Sequence, residues 1–81
     1  MITGAQLRGA RGLLGWNQVR LADMAGVSIA TLRRMEAVDG PVRGNAENVW
    51  KIQRALEEAR ILFIDENGGG RGVRLRSPDA R

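Results

Sequence analysis

Arginine dominates the chemistry that this sequence could perform. Twelve of the thirteen basic residues are arginine, and the chain has neither histidine nor cysteine. A guanidinium group presents several N–H donors in one plane, which suits phosphate oxygens and the edge of guanine. Without histidine and cysteine, the commonest acid–base and nucleophilic residues are missing. The composition therefore favours binding of an anionic partner over catalysis.

The positive charge is concentrated in the first 44 residues. Six basic side chains stand against three acidic ones there, in a chain whose net charge is +4. Arg33 and Arg34 are adjacent in this part, and Arg43 follows in a loop rich in Gly and Pro. Such a segment is typical of proteins that bind nucleic acid. The alternative is that the arginine content only reflects a GC-rich genome.

One other stretch, NGGGRG, could bind phosphate through its backbone. It lacks the Lys-Ser/Thr pair and the following helix of a P-loop, and a hairpin turn explains its glycines more simply. Asp65 and Glu66 are adjacent acids, which we interpret as solvated turn residues rather than metal ligands. We therefore expect no enzyme activity, no cofactor and no metal site.

Helix caps and stops divide residues 1–60 into four short helices. A residue that can accept a hydrogen bond from the first turn precedes each of them: Thr3, Asn17, Ser28 and Asn45. Gly15 and Gly26 suit the left-handed turns that would end the first two helices. Apolar stripes at helical spacing predict a common core of Leu7, Ala10, Leu14, Leu21, Ala22, Ala25, Leu32, Met35, Val49, Ile52, Leu56 and Ala59. We expect a mainly α domain whose third helix spans about residues 28–36.

The C-terminal part has a different pattern. The apolar run ILFID, the turn-forming ENGGGRG and the alternating GVRLR predict a β-hairpin over residues 61–76. An isolated hairpin is marginal in water, so it should pack on the fourth helix, on a second copy, or on both. We expect it to be a dimerisation element, followed by a flexible tail over residues 77–81.

Nothing in the sequence indicates a membrane protein. No apolar stretch approaches the roughly 18 residues of a membrane span. The first ten residues, MITGAQLRGA, lack the apolar region of a signal peptide. We therefore expect a cytoplasmic protein.

Two charged residues fall on apolar faces of the predicted helices. With Leu32 at the centre of the inward face of the third helix, Glu36 lies only about 40° away, at about 100° per residue. Arg11 follows Leu7 by four residues and lies on the stripe of the first helix. A buried charge is costly unless it is paired, so we expect a partly buried Arg11–Glu36 ion pair. The alternative is that both side chains extend to solvent at helix ends.

The opposite face of the third helix is predicted to point outward. Ala30 and Arg34 lie about 180° from its inward centre, and Thr31 and Arg33 flank them. Small residues near the helix start allow close approach to another surface. In a DNA major groove, an arginine further along can pair bidentately with guanine. This face therefore predicts contact with base edges.

The segment LGWNQVRLADMAGVSIATLRRMEAVDGP resembles the helix-turn-helix of the lambdoid phage repressor and Cro family, also called the XRE family. The matching positions are the Gln that opens the second helix, an Ala four residues later, the Gly of the turn, the Ser cap, a Thr in the next helix and a terminal Glu: Gln18, Ala22, Gly26, Ser28, Thr31 and Glu36. The resemblance covers about residues 4–60. It implies a lambda-repressor-like fold, and it also implies the Arg11–Glu36 pair, which this family often has.

The resemblance assigns DNA contacts to eight positions: Gln18, Ser28, Ile29, Ala30, Thr31, Arg33, Arg34 and Arg43. Base edges would be contacted by Ile29, Ala30 and Arg34, with Thr31 and Arg33 nearer the backbone. Gln18 and Arg43 would contact phosphates, and Ser28 would do so or only cap its helix. Many relatives have polar side chains at positions 29 and 30, so hydrogen-bonded base readout would depend mostly on Arg34.

These observations predict a repressor-like transcriptional regulator. It would bind double-stranded DNA sequence-specifically as a homodimer, through the major groove of a two-fold operator. The alternative is an antitoxin-type module that binds a partner protein as well as DNA. An antitoxin usually carries a segment that wraps its toxin, whereas residues 61–81 resemble a folded hairpin.

Overall fold

A computed structural model of the protein describes residues 2–76. The chain forms four helices and two strands in the order α1 (Gly4–Leu14), α2 (Gln18–Ala25), α3 (Ile29–Glu36), α4 (Ala46–Glu58), β1 (Ile61–Ile64) and β2 (Gly72–Leu75). The expected mainly helical domain with a C-terminal hairpin is confirmed. The expected tail over residues 77–81 lies outside the described residues. In residues 2–76, no helix combines the length and apolar character needed to cross a membrane.

The helices begin and end through local capping. The side chains of all four expected residues accept a hydrogen bond from a backbone N–H in the first turn: Thr3, Asn17, Ser28 and Asn45. Gly15 and Gly26 adopt the left-handed conformation, with φ of 68° and 73°. These caps satisfy backbone groups that would otherwise have no partner at the helix ends.

The hydrophobic core lies among the four helices and the first strand. Its fully buried large side chains are Leu7, Leu21, Leu32, Met35, Ile52, Leu56 and Ile61. The stripe on α4 differs from the prediction, because Ala55 is buried and Ala59 is half-buried. The helix ends at Glu58, so Ala59 is its C-cap, and Arg60 then turns with a φ of 77°. This left-handed residue redirects the chain into β1, and the sequence carries no glycine to predict it.

The hairpin packs on the helices of its own chain. β1 and β2 are antiparallel, with Ile61 opposite Leu75 and Phe63 opposite Val73. Ile61 is buried, and Phe63 and Val73 pack against the core. Their apolar face therefore has an intramolecular partner and does not need a second copy to be covered.

A glutamine of α1 attaches the hairpin to the helical domain. The Gln6 side chain donates from Nε2 to the carbonyls of Ile64 (3.3 Å) and Gly72 (2.9 Å). Its Oε1 accepts from the Thr3 backbone N–H at 2.8 Å and completes a capping box. Gln6 is 5% exposed, so these bonds satisfy a buried amide. The sequence analysis did not single out this residue.

The glycine-rich loop, residues 65–71, is organised by its own side chains. Glu66 Oε2 accepts from the backbone N–H groups of Gly68 (3.1 Å) and Gly70 (2.9 Å), and Asn67 Oδ1 accepts from Gly69 (3.2 Å). The backbone donors of these glycines are thus turned toward an acidic side chain of the same loop. This arrangement agrees with our interpretation of a turn.

The hairpin and α3 lie on opposite flanks of α1. Gln6 and Gly9 face the hairpin, and Val73 Cγ2 lies 3.3 Å from the position of a Cβ on Gly9. Arg8 and Arg11 face the C-terminal end of α3. At about 100° per residue, these two pairs of positions are separated by roughly 160° around the helix. The outward face of α3 is therefore remote from the hairpin.

Substituting Gly4 by alanine should destabilise the domain by about 1–3 kcal/mol. A Cβ at this position would overlap the Val38 carbonyl oxygen and lie 2.8 Å from the Met35 oxygen, so the backbone would have to move. The same change at Gly12 has open space around it and should stabilise the helix by about 0.5–1 kcal/mol. Urea melts of both variants would measure the effects, and equal effects in the two would contradict the close approach of α1 to the segment after α3.

Candidate nucleic-acid interface

A tight turn joins α2 to α3. The backbone N–H groups of Gly26 (2.9 Å) and Val27 (3.1 Å) both donate to the Ala22 carbonyl, which closes the end of α2. Val27 packs against the core, and Ser28 caps α3 immediately afterwards. The two short helices are therefore fixed relative to each other by a turn of three residues.

The outward face of α3 is small and basic. Ala30, Arg33 and Arg34 are exposed, whereas Leu32 and Met35 are buried on the opposite face. In the described part of the chain, neither Arg33 nor Arg34 has a carboxylate within ion-pairing distance. Two cations are thus presented to solvent beside a residue small enough to allow close approach.

A short chain of hydrogen bonds runs along the first turns of α3. The Ser28 hydroxyl donates to Thr31 Oγ1 at 2.8 Å, and Arg34 Nη2 donates to the same oxygen at 3.4 Å. The contact to Arg34 is long and therefore weak. The Arg34 guanidinium can therefore leave the Thr31 oxygen for a better acceptor at little cost.

The structure contains the Arg11–Glu36 ion pair that was inferred from two charged residues on apolar helix faces. It lies at the C-terminal end of α3. Arg11 Nε donates to Glu36 Oε2 and Nη2 donates to Oε1, both at 2.8 Å. The Glu36 side chain is 3% exposed and that of Arg11 is 21% exposed. Arg11 Nη1 also donates to the Trp16 carbonyl at 3.1 Å. This bidentate geometry links α1, the start of α2 and the end of α3.

The pair also affects the protonation of Arg11. Hydrogen bonding to Glu36 raises the pKa of the Arg11 guanidinium, and the opposing effect of burial is smaller. Because the folded-state pKa is raised, this contribution to stability is complete below the ordinary arginine pKa. It is lost only as the pH rises through the folded-state value.

Gln18 binds the ion pair rather than facing only outward. Its Nε2 donates to Glu36 Oε1 at 3.1 Å, and the side chain is partly buried. The resemblance assigned a phosphate contact to Gln18. An amide group has two N–H donors, so one remains for such a contact.

Arg8 is a residue of this region that the sequence analysis missed. Its Nη1 donates to the backbone carbonyl of Glu36 and, at 3.2 Å, to that of Val38, and its Nη2 pairs with Asp39. These carbonyls lie at the C-terminal end of α3, where a cation is favourable. Arg8 is outside the apolar stripe of α1, and the only available signal was its position three residues before Arg11.

Ile29 differs from the role that the resemblance assigned to it. It is partly buried and packs against the core, so it is not a free side chain on the outward face. The helical arithmetic explains this, since Ile29 lies about 60° from Leu32, close to the direction of Glu36. The outward face of α3 is thus formed by Ala30, Arg33 and Arg34, with the partly exposed Thr31 beside them.

Arg43 lies in the loop between α3 and α4. The residue before it, Val42, is buried, and its N–H donates to the Ile2 carbonyl at 3.1 Å. Arg43 itself is exposed and, within residues 2–76, forms no ion pair. An anchored loop therefore carries an exposed cation.

The two tryptophans have different surroundings. Trp16 is partly buried and packs against the core. Trp50 is 59% exposed. It lines a shallow groove of about 300 Å³ with Val42, Gly44, Ala46, Val49 and Gln53. Trp50 projects roughly 160° away from Ile52 on α4, which explains its exposure.

A comparison of the chain with protein-family models found no match, and no curated protein matched it either. The residues of the site must therefore support any functional conclusion.

Proposed function

We propose that this protein binds double-stranded DNA sequence-specifically by inserting α3 into the major groove. The observation that carries the proposal is the outward face of α3, with two exposed arginines that have no carboxylate partner in residues 2–76. This face belongs to the second helix of a helix–turn–helix, the arrangement that places side chains at base edges.

Electrostatics support the same surface. The only acidic residue of α3 is Glu36, and its carboxylate is buried against Arg11 and Gln18. Asp39, just beyond α3, is paired with Arg8. Neither carboxylate therefore faces an approaching phosphate without a compensating cation, and the exposed charge of α3 is positive.

The proposal includes a lambda-repressor-like fold, a cytoplasmic location and a role as a repressor-like transcriptional regulator. It also includes binding as a homodimer to a two-fold operator. Half-sites one helical turn apart are about 34–36 Å apart. The molecule extends over 34 × 27 × 20 Å, so two copies on the same face of the duplex would come close enough to touch.

The hairpin remains our proposed dimerisation element. Its inner face is covered by the chain's own helices, which leaves the outer face of Leu62 and Ile64 for a second copy. Leu62→Glu should convert a homodimer into a monomer in sedimentation experiments, without unfolding the domain. Trp50→Glu is the matched control, because it introduces the same charge at an exposed apolar residue of α4. Dissociation by the control alone would place the interface at the Trp50 groove, and a monomeric wild type that binds DNA as a monomer would contradict dimerisation.

Selection of bound fragments from random duplex DNA tests the proposed function. We expect enrichment of a two-fold motif, and we expect the Arg33→Ala/Arg34→Ala variant to lose it. Arg71→Ala is a control, because it removes an exposed arginine from the loop between β1 and β2, outside α2 and α3 and outside the outer face of Leu62 and Ile64. Fragments without a common motif, or equal effects of the two variants, would reject the proposal.

The alternative, an antitoxin-type module, requires a segment that wraps a partner protein. In residues 61–76 the chain instead forms a hairpin attached to α1 by Gln6. The groove lined by Trp50, Val42 and Val49 is the apolar surface on which this alternative can be tested. Capture of a protein that survives nuclease treatment and is lost in Trp50→Glu would support this alternative.

A further inference from the structure

Arg20 of α2 is held over an aromatic ring. Its guanidinium carbon lies 5.1 Å from the centroid of the Trp16 ring, within the range of a cation–π interaction. Neither residue had a DNA-binding role in the sequence analysis. Trp16 directly precedes Asn17, the N-cap of α2, so the stacked guanidinium lies at the start of that helix.

The ring that supports Arg20 is fixed. Trp16 is partly buried against the core, and its carbonyl accepts from Arg11 Nη1 at 3.1 Å. The backbone N–H of Trp16 donates to the Arg11 carbonyl at 3.0 Å. Trp16 is thus hydrogen-bonded to Arg11, which also binds Glu36. The ring under Arg20 and the C-terminal end of α3 are therefore connected by one hydrogen-bond network.

The position of the ring defines the position of the cation. Side chains on a helix lean toward its N-terminus, and Arg20 follows this rule by reaching back over Trp16. Arg20 is exposed and forms no ion pair in the described chain, even with Asp23 three residues later. A positive charge is therefore held in solvent at the N-terminal end of α2.

We infer that Arg20, positioned by Trp16, contacts a DNA backbone phosphate beside the groove that α3 enters. The inference rests on the proposed function. In a helix–turn–helix complex, the first helix crosses the phosphate backbone while the second lies in the groove. A cation fixed at the start of the first helix faces that backbone, and it loses little side-chain freedom on binding. The contact adds affinity on any sequence and carries no base preference.

The chain provides a matched control. Arg54 on α4 lies 5.5 Å from the centroid of the Trp50 ring, in the same kind of arrangement. It differs in being paired with Glu58 and in belonging to a helix outside the helix–turn–helix. Comparing the two arginines separates a contact with phosphate from a general effect of removing an arginine stacked on tryptophan.

Titrations of selected and scrambled duplexes at several salt concentrations test the inference. Arg20→Ala should weaken binding to both duplexes by the same factor, roughly tenfold per protomer near 0.1 M salt, and lower the salt slope by about one per protomer. Arg20→Lys should retain most of the slope, and Arg54→Ala should match the wild type. In a Trp50→Phe background, DNA should change the fluorescence of Trp16.

The outcomes are distinct. If Arg20→Ala and Arg54→Ala have the same salt slope, the phosphate contact is wrong although the proposed function stands. If Arg20→Ala alters preference among bases, Arg20 reads bases and the inference is overturned as well. If the wild type binds selected and scrambled DNA equally, the proposed function fails and the inference fails with it.

Discussion

Replacing Arg11 by alanine should lower the free energy of unfolding by about 3–5 kcal/mol, because it leaves a buried carboxylate without its partner. Glu36 is 3% exposed and cannot reach water without a local rearrangement. Glu36→Ala should cost less than Arg11→Ala, since the 21% exposed guanidinium can extend toward solvent. The order of these two effects follows from burial and would not be expected for a surface pair.

Urea melts of the two single variants and the double variant would measure this coupling. The double variant should cost clearly less than the sum of the singles, because neither charge remains unpaired. Glu58→Ala is the control, since it removes an exposed partner of Arg54 and should change stability by no more than about 0.5 kcal/mol. Strict additivity for Arg11 and Glu36 would contradict the bidentate contact.

The second large effect is expected at Arg34. Arg34→Ala should remove the preference for one base pair in each half-site, worth about 1–3 kcal/mol per contact and about twice that on a two-fold operator. Its guanidinium is exposed on the outward face of α3 and rests on Thr31 Oγ1 through one weak hydrogen bond. Binding to scrambled DNA should stay nearly unchanged, because base contacts add little there.

Arg43→Ala should lower the affinity for DNA without changing the preference among base pairs, the reverse of the effect expected for Arg34→Ala. Arg43 lies in the loop after α3, so its substitution should weaken all sequences alike and lower the salt slope by about one per contact. Titrating both variants against operator and scrambled DNA at several salt concentrations distinguishes the two roles. If Arg34→Ala lowers binding to both duplexes equally, Arg34 contacts the backbone, and Ala30, Thr31 or Arg33 must read the bases.

Features that depend on neighbouring residues could be predicted from the sequence. A helix cap needs only a polar side chain and the first turn that follows it, so all four caps were predicted, including Asn17 and Ser28. The left-handed turn at Gly26 is equally local. The Arg11–Glu36 pair is long-range, but it could be inferred because each charge is costly on a buried stripe unless it has a partner.

Contacts that depend on the assembled fold could not be predicted in this way. Glutamine is common in helices, so nothing in the sequence distinguishes Gln6. Its hydrogen bonds to the carbonyls of Ile64 and Gly72 form only after the hairpin has packed on α1. From its helix propensity alone, Gly4 would be expected to weaken α1. In the structure, its lack of a Cβ lets the backbone of α1 approach the backbone carbonyl of Val38. Such roles depend on residues tens of positions away, and periodicity carries no information about them.

The role assigned to Ile29 has a different basis. The resemblance assigned its role from position, while the helical arithmetic that correctly located Glu36 also directs Ile29 toward the core. The partly buried side chain agrees with the arithmetic. The helical period therefore predicts the burial of Ile29, and its contact with DNA stays a prediction of the resemblance.

The most direct test of DNA binding by α3 is an NMR study of the protein with its selected duplex. We expect intermolecular contacts between the methyl groups of Ala30 and Thr31 and base protons in the major groove, including thymine methyls. We also expect chemical-shift changes at the start of α2 and little change in the hairpin loop. Contacts confined to the hairpin or to the Trp50 groove, with α3 unaffected, would contradict it.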